Sequence, residues 1–185
     1  MTYEEPDAGT AELSMAPRIV EQRGLYYEEF EPGVLYRHRP GRTVTEADNV
    51  LFTTLTMNVQ GLHLDAAYSG GQPFGQRLVN SMFTLATMVG QSVSQLTQGT
   101  LVAQLGLGEI SFPYPLFHGD TLSTETGVTD KRLSASRPGQ GIVVLAHTGR
   151  NQSGEIVARC SRTVLVWTRE AAEAAAGTDA AGRRG

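Results

Sequence analysis

One cysteine, one tryptophan and a charged fraction of 18% are what this 185-residue chain has little of. A lone thiol, Cys160, cannot close an internal disulfide, and four scattered histidines make no zinc pattern, so no metal site is expected. Apolar runs are interrupted every few residues, far short of the roughly 20 that a membrane-spanning helix needs. The acidic start, from Met1 to Asp7, lacks the basic and apolar regions of a signal peptide. Net charge is −4 and the pI about 5.6, which gives no global attraction for nucleic acid. An anionic ligand would therefore need a local cluster of Arg or Lys. The expectation is a cytoplasmic protein with neither a membrane nor a nucleic-acid partner.

What is present suits one compact domain. Apolar residues make up 40% of the chain, and 21 Gly with 8 Pro are too few for a disordered or collagen-like body. Residues 1–17, acidic and carrying Pro6, Gly9 and Pro17, read as a flexible arm. Residues 18–170 read as the domain, and 171–185 as a disordered Ala/Gly-rich tail.

Inside the domain, Tyr26 to Gly33 reads as an extended piece ending in a Pro-Gly turn. Thr45-Glu46-Ala47-Asp48 has the spacing of a capping box and predicts a helix through Leu55. A loop over Met57 to Ser69 and a turn-rich stretch over Gly70 to Gly75 follow. From Asn80 the pattern turns helical: Met82, Leu85, Ala86, Val89, Val93 and Leu96 make one broad apolar face, and Phe83 and Met88 add to it. That predicts a helix buried on most sides and ended by Gly99. Beyond it, Leu101 to Phe112, Asp120 to Thr129, Gly141 to Arg150 and Glu155 to Trp167 read as strands. Asn151-Gln152-Ser153-Gly154 is the hairpin turn between the last two. One long helix followed by antiparallel strands is an α+β pattern, with the sheet wrapped around a central helix.

The segment Thr56-Met57-Asn58-Val59-Gln60-Gly61-Leu62-His63-Leu64-Asp65 carries the chemistry. Asn58 and His63, five apart across a turn, can face one space and hold a water between them. Equally, His63 can satisfy a backbone carbonyl while Asp65 caps a short helix. This segment resembles the signature loop, Asp-x-Asn-Pro-x-His-x-Asp, of the MaoC-like hydratases and dehydratases, a hotdog-fold family acting on acyl-CoA thioesters. Phe112-Pro113-Tyr114-Pro115-Leu116-Phe117-His118-Gly119-Asp120-Thr121-Leu122 and the Asn-Gln-Ser-Gly-Glu hairpin extend the resemblance, which runs from about Phe30 to Trp167. Here Asn58 stands at the family's Asp, and Gln60-Gly61 at its Asn-Pro. The run from Thr45 to Asn58 resembles the mesaconyl-CoA and itaconyl-CoA hydratase branch in particular.

The resemblance implies a single hotdog domain that adds water to, or removes it from, an enoyl-CoA, with a small branched dicarboxylic acyl chain. It implies no cofactor beyond the coenzyme A of the substrate, and at least a homodimer. An amide cannot take a proton from water, so His63 becomes the base and Asn58 orients the water. Asn80 and Ser81 open the long helix; the Ser81 backbone N–H takes the role of oxyanion donor, and Asn80 is at least its N-cap. Asn80, Gln60 and Gly61 join the substrate-binding set. Arg77 is either an ordinary surface ion pair or a fork for a substrate carboxylate. Lys131, Arg132 and Arg137 are either a solvated hairpin or the contacts for the phosphates of coenzyme A. A non-catalytic acyl-CoA-binding protein is the alternative. A thioesterase is disfavoured, because the helix from Asn80 to Gln98 contains no Asp or Glu.

Overall fold

The computed structural model describes residues 18–182; the expected arm at 1–17 and residues 183–185 lie outside the described residues. In chain order the elements are β1 (Leu35–Arg37), β2 (Arg42–Thr43), α1 (Glu46–Leu55), α2 (Gly61–Leu64), α3 (Ala66–Gly70), α4 (Ser81–Leu96), β3 (Leu101–Ser111), β4 (Thr121–Leu133), β5 (Gln140–Arg150), β6 (Ile156–Trp167) and α5 (Arg169–Gly182). The strands form a six-stranded sheet in the order β1-β4-β5-β6-β3, with β2 also on β4, and every pairing is antiparallel. α4 packs across β4, β5 and β6, so the α+β layout with one long central helix is what the chain forms.

The Thr45 cap forms as its spacing predicts: the hydroxyl accepts from Asp48 N at 3.2 Å while Asp48 Oδ2 accepts from Thr45 N at 2.9 Å. α4 begins at Ser81 because the Asn80 side-chain oxygen, Oδ1, accepts from Met82 N at 2.9 Å. It ends before Gly99, whose φ of +70° suits glycine alone at no steric cost.

Several expectations need correction. The Tyr26–Gly33 piece is not extended throughout: Tyr27–Glu29 is a 3-10 turn, and Tyr27 lies flat on Gly141 of β5, where a Cβ would sit 2.0 Å from its ring. The loop expected over Met57 to Ser69 folds into α2 and α3. These short helices are held by tertiary bonds, with Ser69 Oγ donating to the Gly61 and Leu62 carbonyls at 3.2 Å each. α4 is buried on one face only, through Thr84, Leu85, Met88, Ser92 and Leu96, while Met82 and Ala86 face outward because the sheet covers a single side. The tail expected to be disordered from 171 is helical to Gly182, and its start is pinned by Glu28 accepting from Arg169 N. Lys131 and Arg132 belong to the strand β4, not to the turn after it.

The core has two apolar clusters along α4. One gathers Val79, Leu85, Met88, Leu116, Leu122 and Val157; the other gathers Phe30, Leu96, Val128, Val143 and Val164. Between them runs a polar belt: the exposed Gln95 links in sequence to the buried His38, Thr126 and His147 at 2.7–2.9 Å, with Ser92 and Arg162 buried as well. Burial pushes the His147 imidazole down to about 3. No helix among the described residues is long and apolar enough to cross a membrane.

Candidate active site

His63 sits in α2, a single turn lodged between the end of α1 and the start of α4. The chain reaches it through a tight turn in which Met57 has a φ of +57° and Asn58 Oδ1 accepts from Gln60 N at 3.0 Å. Asp65 then caps α3 by accepting from Tyr68 N at 2.9 Å. The His63 ring points Nδ1 at the Leu78 carbonyl, 2.9 Å away. A carbonyl can only accept, so Nδ1 carries the proton and Nε2 is left as the basic nitrogen. The carbonyl contact and the Asp65 cap expected from the sequence are both present. They do not compete with a chemical role, because they fix the tautomer such a role requires.

Leu78 and Val79 form a short extended link pinned on both sides: Leu78 N donates to Leu62 O at 3.1 Å and Val79 N to Leu116 O at 2.9 Å. The link delivers the chain to Asn80 and the first turn of α4. There Met82 N is capped by Asn80 and Thr84 N bonds the Asn80 carbonyl, whereas Ser81 N has no acceptor among the described residues. His63 and Ser81 line one cavity of about 560 Å³, within the range of small-molecule pockets. Its other walls are mostly apolar, from Leu62, Phe74, Leu78, Phe112, Tyr114 and Val157. Among the described residues no Asp, Glu, Lys or Arg lines it, and His63 supplies the imidazole there.

The other residues singled out in the sequence fall in three places. Asn58, Gln60 and Gly61 shape the turn into α2 and do not line the cavity. Gly61 meets the Tyr68 ring, where a Cβ would sit 3.2 Å from Cδ1. With one lone pair of its oxygen engaged by Gln60 N, Asn58 keeps the second lone pair and its N–H groups to offer a water. Arg77 adjoins Leu78 but donates to Glu46 Oε1 of α1 at 2.5 Å, and the Arg77 side chain is mostly covered. That hydrogen bond holds the Glu46 carboxyl below its ordinary range.

The basic cluster lies elsewhere. β4 carries Lys131 and Arg132 some ten residues beyond its cavity-side start, roughly 30–40 Å at the strand rise. Lys131 is also occupied: its Nζ donates to the Tyr27 and Glu28 carbonyls at 3.3 Å and lies over the Tyr27 ring. Within one chain, Lys131, Arg132 and Arg137 are not brought to the cavity. Among the described residues no group of three or more His, Cys, Asp or Glu is placed to hold a metal ion.

Two residues beside the site escaped the sequence reading. Asn49 of α1 is fully buried between α2 and α4. His118 is half-buried next to it, and burial together with the positive Arg77 lowers its pKa. His118 lies in the turn whose Asp120 accepts from Phe117 N at 2.8 Å, just ahead of β4. Asn49 carried no signal beyond its place in a capped helix.

Comparison with known proteins fits this geometry. The family model described as MaoC like domain matches residues 29–151. A mesaconyl-CoA hydratase of Haloarcula marismortui is 29% identical over 152 residues, 82% of this chain. The chain spans 42% of the length of that relative. Among solved structures, an R-hydratase from Pseudomonas aeruginosa superposes with a TM-score of 0.66 at 26% identity, covering 79% of this chain and 88% of that one. A Mycobacterium tuberculosis protein with a double hotdog fold superposes with a TM-score of 0.70 over 78% of this chain and 44% of its own, at 23% identity, a likeness of fold alone.

Proposed function

This chain belongs to the MaoC-like domain family, and from that premise we propose that it is an acyl-CoA hydratase or dehydratase. One observation carries the reading: a histidine with its tautomer locked and a helix N-terminus with an unclaimed N–H open onto the same apolar cavity. In the hydration direction, His63 Nε2 takes a proton from water as the hydroxyl bonds to the β-carbon of the enoyl thioester. Charge accumulates on the thioester oxygen, where the Ser81 N–H stabilises it. The proton then passes from the imidazolium to the α-carbon, completing the addition of one water. Dehydration retraces the same steps. Asn58 stands outside the cavity lining, so steadying the water would require its side-chain amide to turn inward from the bend before α2.

The acyl chain we propose is small, branched and dicarboxylic, as the name of the mesaconyl-CoA relative suggests. Arg77 would hold its free carboxylate by releasing the solvent-facing Glu46. Coenzyme A arrives with the substrate and no separate cofactor is needed. A homodimer is part of the proposal. Among the described residues β3 pairs with β6 alone, leaving its other edge unpaired there, and Leu105, Leu107 and Ile110 on it are 38–49% exposed. A second copy there would cover the edge, and Arg132 and Arg137 would be left for the phosphates of a thioester bound to a neighbouring copy. A cytoplasmic location goes with a coenzyme A substrate.

Incubation with mesaconyl-CoA, itaconyl-CoA and uncharged enoyl-CoA thioesters, read by mass for the gain of one water, is the direct test. Turnover should fall at least 100-fold in His63→Ala with unchanged melting. Binding without turnover in the wild type would make the protein an acyl-CoA binder instead.

A further inference from the structure

Asn49 is 0% exposed and does not line the cavity, yet it bonds the backbone of α2, of the Leu78 link and of the start of α4. Its Oδ1 accepts from Asn80 N at 2.8 Å. A backbone N–H can only donate, so this bond settles which end of the amide faces α4. Nδ2 then donates toward three acceptors, His63 O at 3.2 Å, Leu78 O at 3.2 Å and His118 Nε2 at 3.0 Å, sharing two hydrogens among them. The Leu78 carbonyl is the same one that receives His63 Nδ1–H. His118 must present a bare Nε2 to this amide, which fixes it neutral with its proton on Nδ1.

We infer that Asn49 is a positioning residue for the proposed hydration, setting the His63 imidazole and the first turn of α4 at a fixed separation through bonds to His63 O, Leu78 O and Asn80 N. This rests on the reading of His63 and Ser81 as base and oxyanion donor. A single side chain can do it because α1 crosses behind both segments: the amide's oxygen faces α4 while its nitrogen faces α2 and the Leu78 link. No apolar residue of similar size could replace it without removing the donor to the His63 carbonyl and His118 Nε2, halving the bonds to the Leu78 carbonyl and stranding one buried N–H. The Leu78 carbonyl, held from one side by Asn49, has its remaining lone pair directed at the imidazole. Loosening Asn49 therefore frees the acceptor that holds the tautomer.

Asn49→Asp is the informative variant, since it keeps an acceptor for Asn80 N and removes the donors. Folded Asn49→Asp should show kcat lowered about 100-fold, the scale of a misplacement near 1 Å, with KM within about 3-fold. The 15N signals of the His63 ring, assigned against His63→Ala, should move from the single Nδ1–H tautomer to a mixture. Asn49→Ser is the second variant should the aspartate fail to fold. Retention of the pure Nδ1–H tautomer in either folded variant, or failure of both to fold, would overturn the inference. Because the ring signals need no substrate, a wild type inactive on every thioester would overturn the hydratase reading while leaving the tautomer result to decide on Asn49.

Discussion

Replacing Ser81 by proline isolates one hydrogen-bond donor with little else disturbed. Ser81 is the first residue of α4, the position where proline is best tolerated because its missing N–H would have had no partner in the helix. The residue before a proline must be extended, and Asn80 already is, with φ −58° and ψ 125°. The Asn80 cap serves Met82 and its carbonyl serves Thr84, so no hydrogen bond among the described residues is lost. Stability should change by less than about 1 kcal/mol, in either direction. The transition state loses a donor aimed at developing charge, which is worth about 3–4 kcal/mol, or roughly 100- to 1,000-fold in kcat. Ser81→Ala keeps the N–H and should stay within a few-fold of wild type. Initial rates on the best thioester, melting curves and the affinity for a saturated acyl-CoA would be measured on all three proteins. The saturated analogue should bind alike throughout, which separates loss of the donor from loss of room. A folded Ser81→Pro with wild-type kcat would refute the oxyanion role, and so would a Ser81→Ala that is equally impaired.

Arg77→Ala should raise KM for a carboxylated enoyl-CoA at least 10-fold and leave an uncharged one nearly unaffected; equal effects on both would reduce Arg77 to a tie between α1 and the Leu78 link. Asn58→Asp should add a second ionisation to the pH–rate profile, since among the described residues no carboxylate lines the cavity; an unchanged profile would mean position 58 does not reach the reacting water. The buried imidazole of His147 sits at about 3, so between roughly pH 6.5 and 3 the unfolded chain binds a proton that the folded one refuses. Stability should accordingly be full above pH 6.5 and fall by up to about 1.4 kcal/mol per pH unit below it, with His38, lowered by burial too, adding to the same limb. His147→Gln should flatten that acid limb in urea melts, and an unchanged slope would contradict the burial argument.

The fold was legible where short-range chemistry decides. Thr45 with Asp48, Asn80 ahead of Met82, and Asn151, whose oxygen accepts from both Ser153 and Glu155, act over two to four residues and form as their spacing predicts. Long-range partners were not legible. Glu46 lies 31 residues before the Arg77 it binds, and nothing in either neighbourhood marks the pair. α2 and α3 are too short for a periodic signal, and they persist because Ser69 of α3 and the Leu78 link hold the α2 carbonyls. At Asn58 the side chain is caught locally by Gln60 N, a choice the sequence left open against reaching for water.

α1 shows why the remainder of the site could not be read from hydrophobic pattern. Its apolar residues point the wrong way: Leu51 and Leu55 are 61% and 74% exposed, while Asn49 and Thr53, one turn apart, are fully buried. Leaving two leucines largely in water forgoes on the order of 2 kcal/mol apiece, so a helix docked for stability alone would turn the other face inward. The polar face is inward because what it meets is a junction of backbone ends. The Asn80 N–H, the His63 and Leu78 carbonyls and the Asn80 side chain, which donates to Thr53 Oγ1 at 3.4 Å, all converge there. Backbone groups collected at one point cannot be satisfied by leucine, and leaving them bare costs more than exposing leucine does. On the buried face of α4, Thr84 and Ser92 instead spend their hydroxyls on carbonyls of the helix cap and of their own helix, Asn80 O and Val89 O. Inverted burial of this kind is a local conflict between pattern and packing, and in this chain it centres on the elements that bring His63 to the start of α4.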